Sequence, residues 1–555
     1  GLTIELGFAA LPADRGPEIG IVDVPGHEDF MRTMLAGASG IDRLLLVVAA
    51  DEGPMPQTRE HLDVAELLGV RRGIVALSKI DRVDDDWQEL VTDAVREELR
   101  RFGRDGGWPV LPVSAVTGEG IDALKEALIA SASEVGSRSE ADLFRLPIDR
   151  AFTIPGAGSV VTGSVWSGSV ARGDAVRVMP TDEGSRVRGI QRFGREVEYV
   201  GSGARCALSL AGLSLDRVRR GDMIVADPIW RPGRRFGARI RLLADSRVSL
   251  QHTDIVRLYH GTAETLARVL LVDGTSLGPG DCTEAVLVTR DPLTLRVRDR
   301  FVLRRVSPMT TIGGGIVADL APTRRWRSGA GDWEALLDAD AEEAMGIAVR
   351  LAAGDGMDPA DLPLRTGFPV TGDPDPESVV ELSGRLFAPG TVRQARESVI
   401  GRVGAAHARL PRQPGVPLES IRSTGSGRYA GSLLESVLTQ LEREGRLVRE
   451  GPMVRLPDHR PRLTEAEDRA SDGLYRLLED GGLAPPPPAQ IEKRLGIDRT
   501  LLHDLLRLLV RDGRVVAVSP ELYLTAEAVR QLREGASRVL EAATPASPAA
   551  LRGGS

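Results

Sequence analysis

Four continuous apolar runs, at residues 19–22, 44–49, 73–77 and 110–113, recur through the first stretch of the chain. Each is followed by an amphipathic helical pattern, at 28–37, 57–68, 87–102 and 121–131. A strand apolar at every position has both faces covered, and parallel strands are the ones that helices cover from both sides. The alternation therefore predicts a doubly wound α/β sheet. Near residue 140 the pattern changes to short β runs broken by glycine, at 144–148, 159–166, 175–179, 187–191 and 204–210. A second such block begins near Arg234 and ends in Thr310-Thr311-Ile312-Gly313-Gly314-Gly315. Strands at this spacing predict barrels; Gly156-Ala157-Gly158 and Gly163 are expected to mark turns, and for the other glycines the turn reading stays open.

Helical periodicity returns near residue 330, together with a repeat. Leu382-Ser383-Gly384-Arg385-Leu386-Phe387, Glu444-Gly445-Arg446-Leu447-Val448 and Asp512-Gly513-Arg514-Val515-Val516 share one pattern. The last two follow helices expected at 431–443 and 500–511 and lead into hairpins expected at 447–456 and 515–524, the order of a winged helix. Pro485-Pro486-Pro487-Pro488 makes a stiff loop inside the third repeat.

A chain of 555 residues holds several domains, roughly four to six at about 100–150 residues each. The net charge of −8 gives no global reason to bind nucleic acid. Cys206 and Cys282 are the only cysteines; without close spacing they suggest a reducing compartment and no zinc site. The longest apolar run, 44–50, is far too short to span a bilayer. Lysine occurs only at Lys79, Lys125 and Lys493, and Lys79 alone stands outside an ordinary helix surface.

Ligands of doubly wound sheets sit at the carboxyl ends of the strands. The first run ends in Asp23-Val24-Pro25-Gly26-His27, the third in Ser78-Lys79-Ile80-Asp81 and the fourth in Ser114-Ala115. A carboxylate at a strand end reaches a bound cation through water, and a glycine three residues on lets an amide approach a phosphate. His27 stands where a side chain orients an attacking water. Asp81 can accept from the N1–H and exocyclic amine of guanine, a pattern adenine lacks. The stem of Lys79 can cover the base while its ammonium reaches back to the phosphate loop, and the amides at Ser114-Ala115 can meet guanine O6. Each motif alone is as readily a helix cap or a loop; three in order at strand ends point to a guanine-nucleotide site.

With Gly1-Leu2-Thr3-Ile4, these stretches resemble four of the five motifs of the translational GTPases. The resemblance implies GTP and Mg²⁺ as cofactors, Thr3 as the switch threonine on Mg²⁺ beside Asp23, His27 as the catalytic histidine and Leu2 in the hydrophobic gate. Ser78 replaces the family's usual Asn, as expected of the selenocysteine-specific branch. No Gly-Lys-Ser/Thr occurs in the chain. Two readings stay open: a G domain truncated before its phosphate loop, or a degenerate domain that no longer hydrolyses GTP. The β blocks resemble the two barrels of factors that deliver aminoacyl-tRNA, on Asp149-Arg150-Ala151-Phe152, Val160-Val161-Thr162-Gly163 and Arg219-Arg220-Gly221-Asp222. There the first barrel holds the aminoacyl group. A selenol is ionised at neutral pH, so Arg150 and Arg205, one of them held by Asp149, are expected to select it electrostatically. In the tail, Arg499, Arg507 and Arg511 could form one basic stripe toward RNA. Residues 461–534 nevertheless carry 11 Lys+Arg against 13 Asp+Glu, which favours a spacer.

The expected architecture is multidomain. An α/β P-loop-type G domain lacking its first strand and P-loop (1–140) precedes barrels at 141–232 and 233–328. Winged helices follow at 335–400, 401–458 and 462–526, then a linker helix and the start of a truncated fourth unit (527–555). The expected function is GTP-dependent delivery of selenocysteinyl-tRNA to the ribosome at recoded UGA codons. The tail links to an mRNA hairpin, and the protein is a cytoplasmic monomer with no membrane partner. A general aminoacyl-tRNA elongation or initiation GTPase, or a non-hydrolysing RNA-binding adaptor, stand as alternatives.

Overall fold

A computed structural model gives the fold of residues 5–11, 17–27, 30–38, 40–102, 107–136, 139–155, 158–322, 331–369, 372, 375, 377–425, 428–460 and 463–542. The chain divides into two compact units, Gly1–Ala388 and Pro389–Ser555.

The first unit opens with β1 (Gly7–Leu11) and β2 (Ile19–Asp23), then α1 (Met31–Ala38), β3 (Leu44–Ala49), α2 (Pro56–Leu67), β4 (Gly73–Ser78), α3 (Asp85–Arg101), β5 (Val110–Pro112) and α4 (Ile121–Ser133). β3, β4 and β5 form a parallel sheet in that order. Its core comes from one face of each helix: Leu62 of α2 and Val91, Val95 and Leu99 of α3 pack on Leu46, Val48, Val75 and Leu77. Asp84 caps α3 by accepting from the Trp87 amide at 2.8 Å. Three of the four expected strands form the parallel sheet. β2 pairs only with β1, antiparallel, and among the described residues nothing joins β2 to β3. An apolar run reports burial and leaves the partner open.

Two closed antiparallel barrels follow. The first runs in the order Glu183–Arg192, Arg205–Leu210, Gly158–Ser164, Arg145–Ile154, Met223–Val225, Ala175–Met179 and back to Glu183–Arg192. The second runs Pro232–Leu242, Cys282–Thr294, Ala263–Leu271, Ile255–His260, Arg300–Arg304, Thr311–Asp319 and closes on its first strand. Gly163, expected to mark a turn, lies instead inside the strand Gly158–Ser164, where a Cβ would stand 2.2 Å from the Pro147 carbonyl oxygen; Gly313, Gly314 and Gly315 likewise lie inside the last strand. A Cβ there would stand 2.1 Å from the Arg241 carbonyl oxygen, 2.5 Å from that of Phe301 and 2.5 Å from that of Arg239. Close approach of neighbouring backbones, not a turn, requires them.

A buried charge cluster joins the barrels. Arg145 of the first meets Asp299 of the second at 2.8 Å, and His260 meets the same carboxylate at 3.1 Å. Against the second barrel pack α5 (Gly331–Asp338), α6 (Ala341–Leu351), α7 (Leu362–Thr366), whose Leu364 also meets Met179 and Val225 of the first barrel, and the hairpin Val380–Leu382/Arg385–Phe387. Arg298 ties α5 down by donating to the carbonyls of Leu336 (2.9 Å), Leu337 (2.7 Å) and Ala339 (2.7 Å), the orphan acceptors of a helix end.

The second unit begins with α8 (Pro389–Arg409), which packs against α10 (Gly431–Arg443) after α9 (Leu418–Gly425); a three-stranded sheet, Val416–Pro417, Met453–Arg455 and Val448–Glu450, completes the motif. The expected division at 400/401 therefore falls inside α8, whose buried Val392, Ala395, Val399 and Val403 belong with α10. Next come α11 (Glu465–Gly481), α12 (Pro488–Leu495), α13 (Arg499–Arg511), the hairpin Val515–Ser519/Leu522–Thr525 and α14 (Ala526–Ala542). The start of a fourth unit, expected at 545–552, lies outside the described residues. No described helix is long and apolar enough to cross a membrane.

Candidate functional site

β4 ends at Ser78, and the next residue, Lys79, turns the chain with a left-handed backbone, φ 60°. A side chain held there costs about 1 kcal/mol or more and persists where its surroundings impose it. The turn swings Asp81 toward β5. Its carboxylate accepts from the buried Ser114 hydroxyl at 2.5 Å, and the same oxygen of Ser114 accepts from the amides of Val116 (3.2 Å) and Thr117 (3.1 Å). Three points differ from expectation. The Ser114 amide is committed to the Glu119 carbonyl at 2.9 Å, so Ala115, on exposed backbone, offers the amide left for a ligand. Ser78 donates to the Val48 carbonyl at 3.3 Å and serves the sheet. The Lys79 ammonium meets Asp51 and Glu52, each at 3.1 Å, and these bonds, that to Glu52 foremost, raise its pKa.

At the other end of the site, Asp23 is the exposed last residue of β2, and open space lies where a side chain at Gly26 would stand. The His27 ring lies 6.2 Å from that of Phe30, tilted by 56°. Thr3 lies outside the described residues, and so do Gly1, Leu2 and Ile4. The donor set fits a guanine nucleotide: a supported carboxylate with a neighbouring amide at one end, an open glycine backbone and a second carboxylate at the other.

The barrel residues come together more tightly than expected. Asp149, buried, binds both terminal nitrogens of Arg205, Nη2 to Oδ1 at 3.1 Å, and accepts from the Thr162 hydroxyl at 2.6 Å. Arg150 instead leaves the barrel, donating to Glu5 at 3.0 Å and to the Leu6 carbonyl at 2.9 Å. Between the arginines lies Phe8 of β1, its ring centroid 3.4 Å from Cζ of Arg205 and 5.4 Å from that of Arg150. Sequence reading missed Phe8. It is one of ten phenylalanines, and no local pattern marks it; only the arginines' need for a flat partner could have pointed to it. In the tail, Arg499, Arg507 and Arg511 are exposed on α13, with Arg511 paired to Asp512 at 3.0 Å.

Residues 1–134 match the elongation factor Tu GTP binding domain and 158–225 elongation factor Tu domain 2. Residues 237–324 match the beta-barrel domain of the selenocysteine-specific elongation factor, and 402–456 the winged helix of elongation factor SelB. The selenocysteine-specific elongation factor of Desulfomicrobium baculatum is 34% identical over 551 residues, covering 96% of this chain and 86% of that protein. The chain belongs to the selenocysteine-specific elongation factor family. Elongation factor Tu 2 of Streptomyces avermitilis is 35% identical over 332 residues, but that match covers 57% of this chain against 84% of its own length. A solved bacterial selenocysteine-specific elongation factor, EF-Sec, shares the fold with a TM-score of 0.69 at 23% identity, covering 97% of this chain and 86% of its own.

Proposed function

We propose that this chain is a GTPase that carries selenocysteinyl-tRNA to the ribosome at recoded UGA codons, with its tail reaching an mRNA hairpin. Asp81, steadied by Ser114, would read the guanine edge, and the Ala115 amide its O6. Thr3 and Asp23 would hold Mg²⁺, which when bound neutralises phosphate charge. His27 would orient the attacking water, and the Gly26 amide would follow the γ-phosphate. Arg205, with Arg150 near it, would meet the selenolate. Arg499, Arg507 and Arg511 would touch RNA.

The observation that carries this reading is Arg205, held by Asp149 and laid against Phe8 on the hairpin that ends in Asp23. A fixed guanidinium favours an ionised selenol over a neutral hydroxyl, and its position ties that choice to the strand leading into the nucleotide site. The test is binding of selenocysteinyl- and seryl-tRNA to a form extended upstream by a Gly-x-x-x-x-Gly-Lys-Ser/Thr loop. Arg205→Ala should cut the preference for the selenocysteinyl form by about 1–3 kcal/mol, the worth of a charged hydrogen bond. An equal fall for both tRNAs would leave Arg205 as a barrel or tRNA-backbone residue.

A further inference from the structure

One indole touches all three parts of the body. Trp166 follows the first barrel's strand Gly158–Ser164. On one side lies Gly40, just past the end of α1, where a Cβ would stand 2.5 Å from the indole Nε1. On another lies Gly261 of the second barrel, where a Cβ would stand 2.8 Å from indole Cη2. Both glycines have left-handed backbones, φ 85° and 56°. His260 meets the same ring edge-on at 5.4 Å, and the Arg145 guanidinium lies 5.1 Å from its centroid. Thus α1 and the second barrel each leave a side chain's width for the same ring, from opposite partners.

The path continues at both ends. Within α1, a Cβ at Gly37 would stand 2.6 Å from Leu6 and 2.8 Å from Val24, and Val24 follows Asp23. Beyond Trp166, His260 and Arg145 both hold Asp299. Packed interiors resist compression, so a shift of α1 must be taken up by the ring or passed on.

We propose that Trp166 is a wedge that couples the position of α1, and with it the turn at Asp23–His27, to the second barrel. This rests on contacts alone and holds whether or not the aminoacyl reading above is right. An energetic link through a residue is shown by a cycle in which removing that residue removes the effect. Hydrogen exchange on the full chain reads it directly. Gly261→Ala pushes a methyl at the far edge of the indole. It should speed exchange of the α1 amides, Met31–Ala38, by roughly 2- to 30-fold, the span of measured coupling energies. Phenylalanine lacks that far edge, so in a Trp166→Phe background the effect on α1 should vanish. The local strain of alanine at a left-handed position is the same in both backgrounds and cancels. Gly40→Ala, read at Ile255–His260, is the converse experiment and serves if Gly261→Ala does not fold. An equal rise in both backgrounds, or no rise with Trp166 present, overturns the proposal.

Discussion

At the scale of the residue, the nucleotide end of the site is a matter of hydrogen-bond supply. Asp81 is steadied by Ser114, and Ser114 is steadied by two amides of its own loop. Asp81→Asn, in a form extended upstream by a phosphate loop, should weaken GTP and favour xanthine nucleotides, because an amide donates to the xanthine oxygen. Competition binding with GTP, XTP and ATP checks it; equal affinity of the unmutated form for ATP and GTP would remove the base pocket. The two thiols give a second prediction. Burial pushes the Cys206 thiol up to about 12, while Cys282 is exposed. A thiol reagent at neutral pH should therefore modify one cysteine in the folded chain and two after unfolding, and Cys282→Ser should abolish the folded-state reaction. The sequence named Asp81 by its motif at a strand end, and Asp149 and Arg205 through the family resemblance. Phe8 and the hydroxyl of Thr162 were not legible there, because their roles come from what the fold brings beside them.

At the scale of the element, α8 and the segment after the strand Met453–Arg455 carry a pH-sensitive contact. His407 is buried, with neither ring nitrogen bonded, and stacks on His459 at 3.5 Å, 9° from parallel. Burial, then His459, then Arg455 hold its pKa down at about 4 against an ordinary 6.5. Between those values the unfolded chain takes up a proton that the folded chain refuses. The contact's full stability is present above pH 6.5 and is lost progressively as pH falls toward 4. Exchange of the α8 amides should quicken over that window, and His407→Phe should flatten the dependence. Exchange is the right probe because all six tryptophans precede residue 389. Helices were the most legible elements, since a 3.6-residue apolar period has one meaning. The shared Gly-Arg pattern of the tail was less so. At Ser383-Gly384 it is the turn of a hairpin, while Gly445 and Gly513 follow helix ends. All three glycines have positive φ, and that is all the pattern encodes.

At the scale of the molecule, the body is fastened at Asp299. Burial opposes its charge, but Arg145 and His260 outweigh that and hold the carboxyl down at about 2. Asp299→Asn leaves Arg145 buried without its counter-charge, and should cost about 3–5 kcal/mol, as breaking a buried pair does. Denaturant unfolding followed by tryptophan emission measures it; a loss under 1 kcal/mol would mean that packing alone joins the barrels. The division into sheet, barrels and helical tail was visible in the change of period along the chain, whereas these fastenings between parts were not, because they join residues far apart in sequence. The glycine run has a further consequence. Backbone carbonyls stand where side chains at Gly313, Gly314 and Gly315 would be, so a methyl group added at this seam must part the strands. Gly314→Ala should lower the denaturant midpoint of the body, and an unchanged midpoint would show that the neighbouring backbone yields instead.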